Sequence, residues 1–135
     1  MNSIPGTITN IQQSGSIILA DIDIGTQTVS AMLIASANGD TWISKGNTVQ
    51  VIFKETEVSL AKDLTGKISL RNRFQCTVKE IEKGDLLSKI TLTSGQNQIV
   101  SVITTRSLEY LELIIDESVE ALVKANEISL MSAKY

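Results

Sequence analysis

The chain is built twice. Residues 2–60 can be laid on residues 72–130 without a gap, each position finding its counterpart 70 residues further on. Nine pairs are identical: Asn2/Asn72, Thr7/Thr77, Ile11/Ile81, Gly25/Gly95, Val49/Val119, Lys54/Lys124, Glu57/Glu127, Ser59/Ser129 and Leu60/Leu130. The apolar positions carry more weight than the identities. Ile8/Val78, Ile22/Leu92, Val29/Ile99, Leu33/Ile103, Ile52/Leu122 and Val58/Ile128 each exchange one core-sized aliphatic for another, and such exchanges keep an interior packed. The period is too long for a leucine-rich or tetratricopeptide array, and two copies are too few for a solenoid. Each copy therefore reads as a small module, and the positions where the copies differ are the first place to look for function.

Of the 135 residues, 42% are hydrophobic and 20% charged, enough apolar material for a core and too little polarity for disorder. Modules this small bury a low share of their surface, so they are expected to pack on each other or on further subunits. The lone cysteine, Cys76, lies in an alternating apolar stretch with no basic neighbour and reads as a buried, inert thiol. No disulfide can form within one chain, which suits the cytosol. No stretch approaches the roughly 20 apolar residues of a membrane span. The start, Met-Asn-Ser-Ile-Pro-Gly, has neither the basic region nor the apolar core of a secretion signal. The expected location is cytoplasmic, with no membrane partner. A net charge of −3 opposes tracking of nucleic-acid phosphates, and two Phe, two Tyr and one Trp offer few stacking platforms, so no nucleic-acid partner is expected.

Segments 4–11, 16–24, 28–34 and 48–54 are rich in Ile, Val and Thr and are separated by Ser14-Gly15, Gly25 and Lys45-Gly46-Asn47, the pattern of strands and turns. Segments 73–82, 86–93, 98–104 and 119–124 repeat the order, and a short last strand is expected after each repeated lysine, at 57–60 and 127–131. Between the third and fourth strands lies a short helical piece, 107–111, in which Ser107 can cap the first turn and Leu108 and Leu111 share a face. Its counterpart, 37–42, is a poorer helix because Gly39 lies inside it. Five strands with a small helix between the third and fourth suggest an all-β fold. We expect two tandem five-stranded barrels like those that bind oligonucleotides and oligosaccharides, each with one short helix. The expected division is a first barrel at 1–62, a linker and opening strand at 63–72, and a second barrel at 73–135.

Catalytic chemistry has little to work with. The sequence has no histidine, so imidazole-activated nucleophiles and imidazole metal sites are absent. Asp21 and Asp23 alternate with apolar residues and read as a polar outer face, as do Asp116-Glu117 and Glu80/Glu82. Gly25-Thr26-Gln27 and Gly95-Gln96-Asn97 are hairpin turns and not phosphate loops. The expectation is a protein that is not an enzyme.

Ser69-Leu70-Arg71-Asn72, just before the second copy, has no full counterpart in the first. It resembles the Ser-Ala-Arg-Asn opening of Mop domains, the molybdate- and tungstate-binding modules of the TOBE class. Ile103-Thr104-Thr105-Arg106-Ser107 resembles that family's Ile-Thr-x-x-Ser. Residues 117–125 resemble its Val-x-Ala-Leu-Ile-Lys-Ala strand, and Glu127-Ile-Ser-Leu130 its closing Glu-Val-Met-Leu. The likeness spans 69–131 and, more weakly, 4–62. A tandem pair resembles the molbindins. It is also similar to the carboxy-terminal half of molybdate-responsive regulators and, less closely, to the regulatory domain of molybdate-transporter ATPases. The resemblance implies an oxyanion held between modules, contacted by the Ser-x-Arg-Asn segment of one and by the Thr-x-x-Ser and Lys-Ala elements of a partner. The implied ligand set is Ser69, Arg71, Asn72, Thr104, Ser107, Lys124 and Ala125, with Lys54 from the first copy. The implied assembly is a trimer if the chain is molbindin-like, or a dimer if it is regulator-like.

The residue types suit that role. A tetrahedral dianion needs a ring of donors, which hydroxyls, backbone N–H groups and an ammonium supply without any protein–metal bond or organic cofactor. Sulfate would then be discriminated by cavity size, and a partly protonated phosphate would lack an acceptor. Each residue also has an ordinary reading: Lys124 as a surface charge, Ser107 as a helix cap, Arg71 as a solvated or carboxylate-paired arginine. In the first copy, Ile34 stands opposite Thr104, Ala37 opposite Ser107, Met1 opposite Arg71 and Glu55 opposite Ala125, while Lys54 is kept. Fewer sites than modules are expected, with the first barrel mainly structural or lending Lys54. The leading reading is a cytoplasmic molybdate/tungstate-binding protein for storage or homeostasis. The other reading is an oxyanion-sensing domain of a longer regulator or transporter ATPase, against which stand the missing helix-turn-helix and nucleotide motifs and a natural-looking Met1.

Overall fold

In the computed structural model, which describes residues 1–36, 39 and 41–133, ten strands form two five-stranded sheets. The first copy supplies β1 (Asn2–Ser14), β2 (Ile17–Asp23), β3 (Thr28–Ile34), β4 (Thr48–Phe53) and β5 (Ser59–Ala61). The second supplies β6 (Asn72–Lys83), β7 (Leu87–Ser94), β8 (Asn97–Thr104), β9 (Ser118–Val123) and β10 (Ser129–Ser132), with α1 (Thr105–Leu111) after β8. Strand burial alternates as the period-2 sequence pattern requires. In β2, Ile18, Ala20 and Ile22 are buried between partly or fully exposed neighbours.

β1 and β6 are longer than their apolar patterns suggest. Each carries a bulge at the same repeat position, between Ile8 and Asn10 and between Val78 and Glu80. A bulge bends a strand and raises its twist. The first half of β1 therefore pairs with β4 while the second half pairs with β2, and the sheet curls into a partly open barrel whose edge strands β3 and β10 approach each other. The hairpin glycines sit where expected. Gly95 has φ +59° at the first of the two residues joining β7 to β8, the place where a II′ turn takes glycine.

The last strand of each copy crosses to the other sheet. β5 pairs with β9 (Ser59↔Leu122), and β10 pairs with β4 (Ser129↔Ile52), in registers that are repeat equivalents. The short strands thus begin at Ser59 and Ser129, later than expected, because a 3₁₀ turn occupies Glu55–Glu57 and Ala125–Glu127 first. One continuous apolar core results, running from Ile4 to Ile128 through both sheets, with the Phe53 and Phe74 rings stacked across the two copies at 5.9 Å. Cys76 lies in that core, where burial pushes its thiol up to about 11.

Helix α1 begins two residues before the expected 107–111. Its cap is Thr104 and not Ser107, since the Ser107 amide donates to Thr104 Oγ1 at 3.1 Å. The expected counterpart at 37–42 includes Ala37, Asn38 and Asp40, which lie outside the described residues.

Candidate functional site

β6 opens at Asn72, which pairs with Val123 at the end of β9. Arg71 and Lys124 are therefore the next residues outward on two neighbouring strands, flanked by Ser69 and by Ala125 at the start of its 3₁₀ turn. Ser69, Arg71 and Lys124 are exposed and Ala125 is half-buried. Neither cation forms an ion pair with a carboxylate among the described residues. Arg73, two residues on, is in the opposite condition. Its Nε and a terminal nitrogen each donate to Glu120 at 2.7 Å, and that fork holds the Glu120 carboxyl below its ordinary range. One arginine is thus paired, while its neighbour Arg71 and Lys124 carry no ion pair among the described residues.

Asn72, expected among the ligands, has a different place. It is wholly buried; its Oδ1 accepts from Ser30 N at 2.8 Å, and its Nδ2 donates to Ser30 O at 2.9 Å and to Val123 O at 3.0 Å. Both amide hydrogens are taken, so its side chain presents no donor to a ligand.

The hydroxyls form a second group. Thr104 Oγ1 donates to Ser107 Oγ at 2.8 Å while accepting the Ser107 amide, and both residues are exposed. They line a groove with Thr56 and Ser59 from the first copy, over a floor that includes Val58, Leu60 and Leu111. None of Ser69, Arg71, Lys124 and Ala125 lines this groove among the described residues. The two groups lie at opposite ends of the sheet, since Asn72 opens β6 whereas Thr104 ends β8 opposite Leu87 at the start of β7. The strand exchange lays the first copy's turn at 55–57 on β8, beside the hydroxyls, and the second copy's turn at 125–127 on β3. Within one chain each half of the expected ligand set therefore faces an element of the first copy. The hydroxyl half lies beside the segment bearing Lys54 and Glu55, whereas the basic half lies towards the strand that ends at Ile34.

Lys54 is exposed and lines a separate groove with Met1, Glu57, Asn126 and Glu127. Beside it the Glu55 carboxylate, where the second copy has Ala125, accepts from the Met1 ammonium at 2.8 Å, and that bond holds its carboxyl below the ordinary range.

Several residues that shape the site escaped notice in the sequence. Ser88 donates to Thr105 Oγ1, which donates in turn to Gly84 O, each at 2.8 Å, fixing the junction where Thr104 sits. Lys62 Nζ donates to Leu111 O and Glu112 O at 3.0 and 3.1 Å and meets Glu117 at 3.0 Å, tying down the far end of α1. The signal for the first device was present: Ile18 and Ala35 occupy the matching positions, so the hydroxyls arrive together in the second copy only.

Residues 68–130 match the TOBE domain. Over 103 residues, 75% of the chain, the sequence is 27% identical to the molybdenum transport protein ModE of Herbaspirillum seropedicae, and the match spans about 38% of that protein's length. Among solved structures, the cytoplasmic molybdate-binding protein ModG, in a form with molybdate bound, superposes with a TM-score of 0.92 at 26% identity, covering 97% of this chain and 95% of that one. A molybdate-binding protein from Sporomusa ovata is 40% identical, with 50% of this chain covering all of that one at a TM-score of 0.49.

Proposed function

Since this chain is a tandem member of the Mop/TOBE class, we propose that it binds molybdate or tungstate in the cytoplasm, for storage or homeostasis, at sites formed between modules. The observation that carries the reading is the pair Arg71 and Lys124. In a chain of net charge −3, these cations stand at adjacent strand ends without a carboxylate, beside an arginine that has one. A dianion is the complement of that pair. The ammonium of Lys124, the Ser69 hydroxyl and the backbone N–H groups near Arg71 and at Ala125 supply charge-assisted donors, stronger than neutral ones. Thr104 and Ser107 supply hydroxyls from the other half. The ligand needs no protein–metal bond, and the reading assigns no organic cofactor and no catalytic step.

The separation of the two halves within one chain supports a site completed by a second copy, the basic half of one meeting the hydroxyl half of another. A closed trimer satisfies this and is the favoured assembly; a two-fold dimer is the alternative. Loss of the hydroxyl at Ile34 and the carboxylate at Glu55 leave the first copy with a supporting part. The match to only part of ModE favours a second reading, an oxyanion-sensing domain of a longer regulator or transporter ATPase. A transcript continuing into a further domain would support it.

Calorimetric titration with molybdate, tungstate and sulfate tests the proposal. Heat is expected with the first two, weaker binding with sulfate, and at least a tenfold loss of affinity in Arg71→Ala or Lys124→Ala. Absence of heat at high micromolar molybdate overturns it.

A further inference from the structure

Asn2 and Asn72 are one of the nine identical pairs, and both are buried, at 4% and 0% exposure. Each reaches the third strand of the other copy at repeat-equivalent residues. Asn2 Nδ2 donates to Val100 O and its Oδ1 accepts from Val100 N, at 2.9 and 2.8 Å, and Asn72 makes the same two bonds to Ser30. β3 and β8 are edge strands, so each side-chain amide serves as a one-residue strand that satisfies the backbone groups of an open edge. To this extent the pair is symmetric and structural.

The symmetry breaks at one bond. Asn72 Nδ2 also donates to Val123 O, the carbonyl immediately before Lys124, and Asn72 itself immediately follows Arg71. One buried side chain thus fixes the strand end carrying Arg71, the strand end carrying Lys124 and the facing edge of β3. Asn2 makes no equivalent bond to Phe53 O among the described residues. The extra bond occurs in the copy that has both cations, the first copy keeping Lys54 but having Met1 opposite Arg71.

We propose that Asn72 is the positioning residue of the oxyanion site, setting the separation of Arg71 and Lys124 without touching the ligand; this rests on the oxyanion reading above. Its twin provides an internal control, because Asn2→Ala inflicts the same edge-strand lesion beside Met1 and Lys54, where the first copy has no counterpart of Arg71. Neutral alanines are used so that no new charge acts on the anion.

The test compares Asn72→Ala with Asn2→Ala by thermal melting, molybdate calorimetry and amide hydrogen exchange of the ligand-free protein. The melting points of both variants should fall, that of Asn72→Ala further, because it also loses the bond to Val123 O. Asn72→Ala should weaken molybdate binding tenfold or more and speed exchange of the paired amides at the strand ends, Asn72–Phe74 and Ala121–Val123, by a similar factor, whereas Asn2→Ala should keep both within about twofold of wild type. Equal loss of affinity in both variants, or unchanged affinity in Asn72→Ala, overturns the inference. If Asn72→Ala fails to fold, Asn72→Ser, which keeps one donor, takes its place under the same criteria. A wild-type protein that binds no molybdate overturns the oxyanion reading by itself, and the exchange rates still decide whether Asn72 holds the two strand ends together.

Discussion

Thr104 and Ser107 share one hydroxyl pair but do different work, and two substitutions separate that work. Thr104 Oγ1 accepts the Ser107 amide and caps α1, so Thr104→Val, which preserves shape, removes the cap. Loss of such a cap costs about 1 kcal/mol. In a domain of this size that lowers Tm by about 3–5 °C. Ser107 Oγ is exposed and only receives the Thr104 hydroxyl, so Ser107→Ala leaves the cap in place and should change stability by no more than about 0.5 kcal/mol. In binding, the order should change. A hydroxyl donating to a dianion contributes about 1.5–3 kcal/mol. At about 1.4 kcal/mol per decade, Ser107→Ala should therefore weaken molybdate about 10- to 100-fold while melting as wild type does. Thr104→Val should lose both stability and affinity. Differential scanning calorimetry and titration calorimetry on the two proteins make the comparison. The reasoning is refuted if Ser107→Ala binds molybdate normally, or if Thr104→Val melts unchanged.

Three further outcomes are expected. The Arg73 fork lowers the Glu120 carboxyl, so its stabilisation is present above about pH 4.5, the ordinary carboxyl value, and is lost as pH falls through the lowered value. The stability gap between wild type and Glu120→Gln, measured by denaturant unfolding from pH 7 to pH 3, should accordingly shrink with acid; a constant gap contradicts the assignment. Lys62→Met, which removes the tie to Leu111 O, Glu112 O and Glu117, should cost about 1–2 kcal/mol in urea unfolding, and no change means the contacts are dispensable. The Cys76 thiol, buried and pushed up to about 11, should resist a disulfide reagent at pH 8 until the chain is unfolded, whereas rapid labelling of the native protein would show that the core opens there.

The strands were legible because their burial alternates and their turns carry glycine at positive φ, both local properties of the sequence. The exchange of β5 and β10 was not, and the repeat itself explains why. Ser59-Leu60 and Ser129-Leu130 are identical, each preceded by a 3₁₀ turn, so the sequence of either strand fits the edge of either sheet. The cap of α1 was misplaced by three residues because Thr104 and Ser107 are both hydroxyl residues at i, i+3 spacing, and either could cap. Asn72 was visible as an identity and as part of the Ser-Leu-Arg-Asn segment, but its partner Ser30 lies 42 residues away and differs from Val100, its counterpart in the other clamp. A contact through backbone atoms leaves no residue-type signature in the partner. The candidate ligands could be read by type and spacing, yet their division into a basic and a hydroxyl half depends on how β6, β7, β8 and β9 pair, which spacing along the chain does not encode.

That division is the central claim, and mixing two defective proteins tests it most directly. Arg71→Ala damages only the basic half and Ser107→Ala only the hydroxyl half, and each protein alone should bind molybdate weakly. Co-refolded in equal amounts, they should regain high-affinity sites in titration calorimetry, because a contact between unlike copies joins one intact basic half to one intact hydroxyl half. If the mixture binds no better than the two proteins apart, the site does not span two copies and the account is wrong.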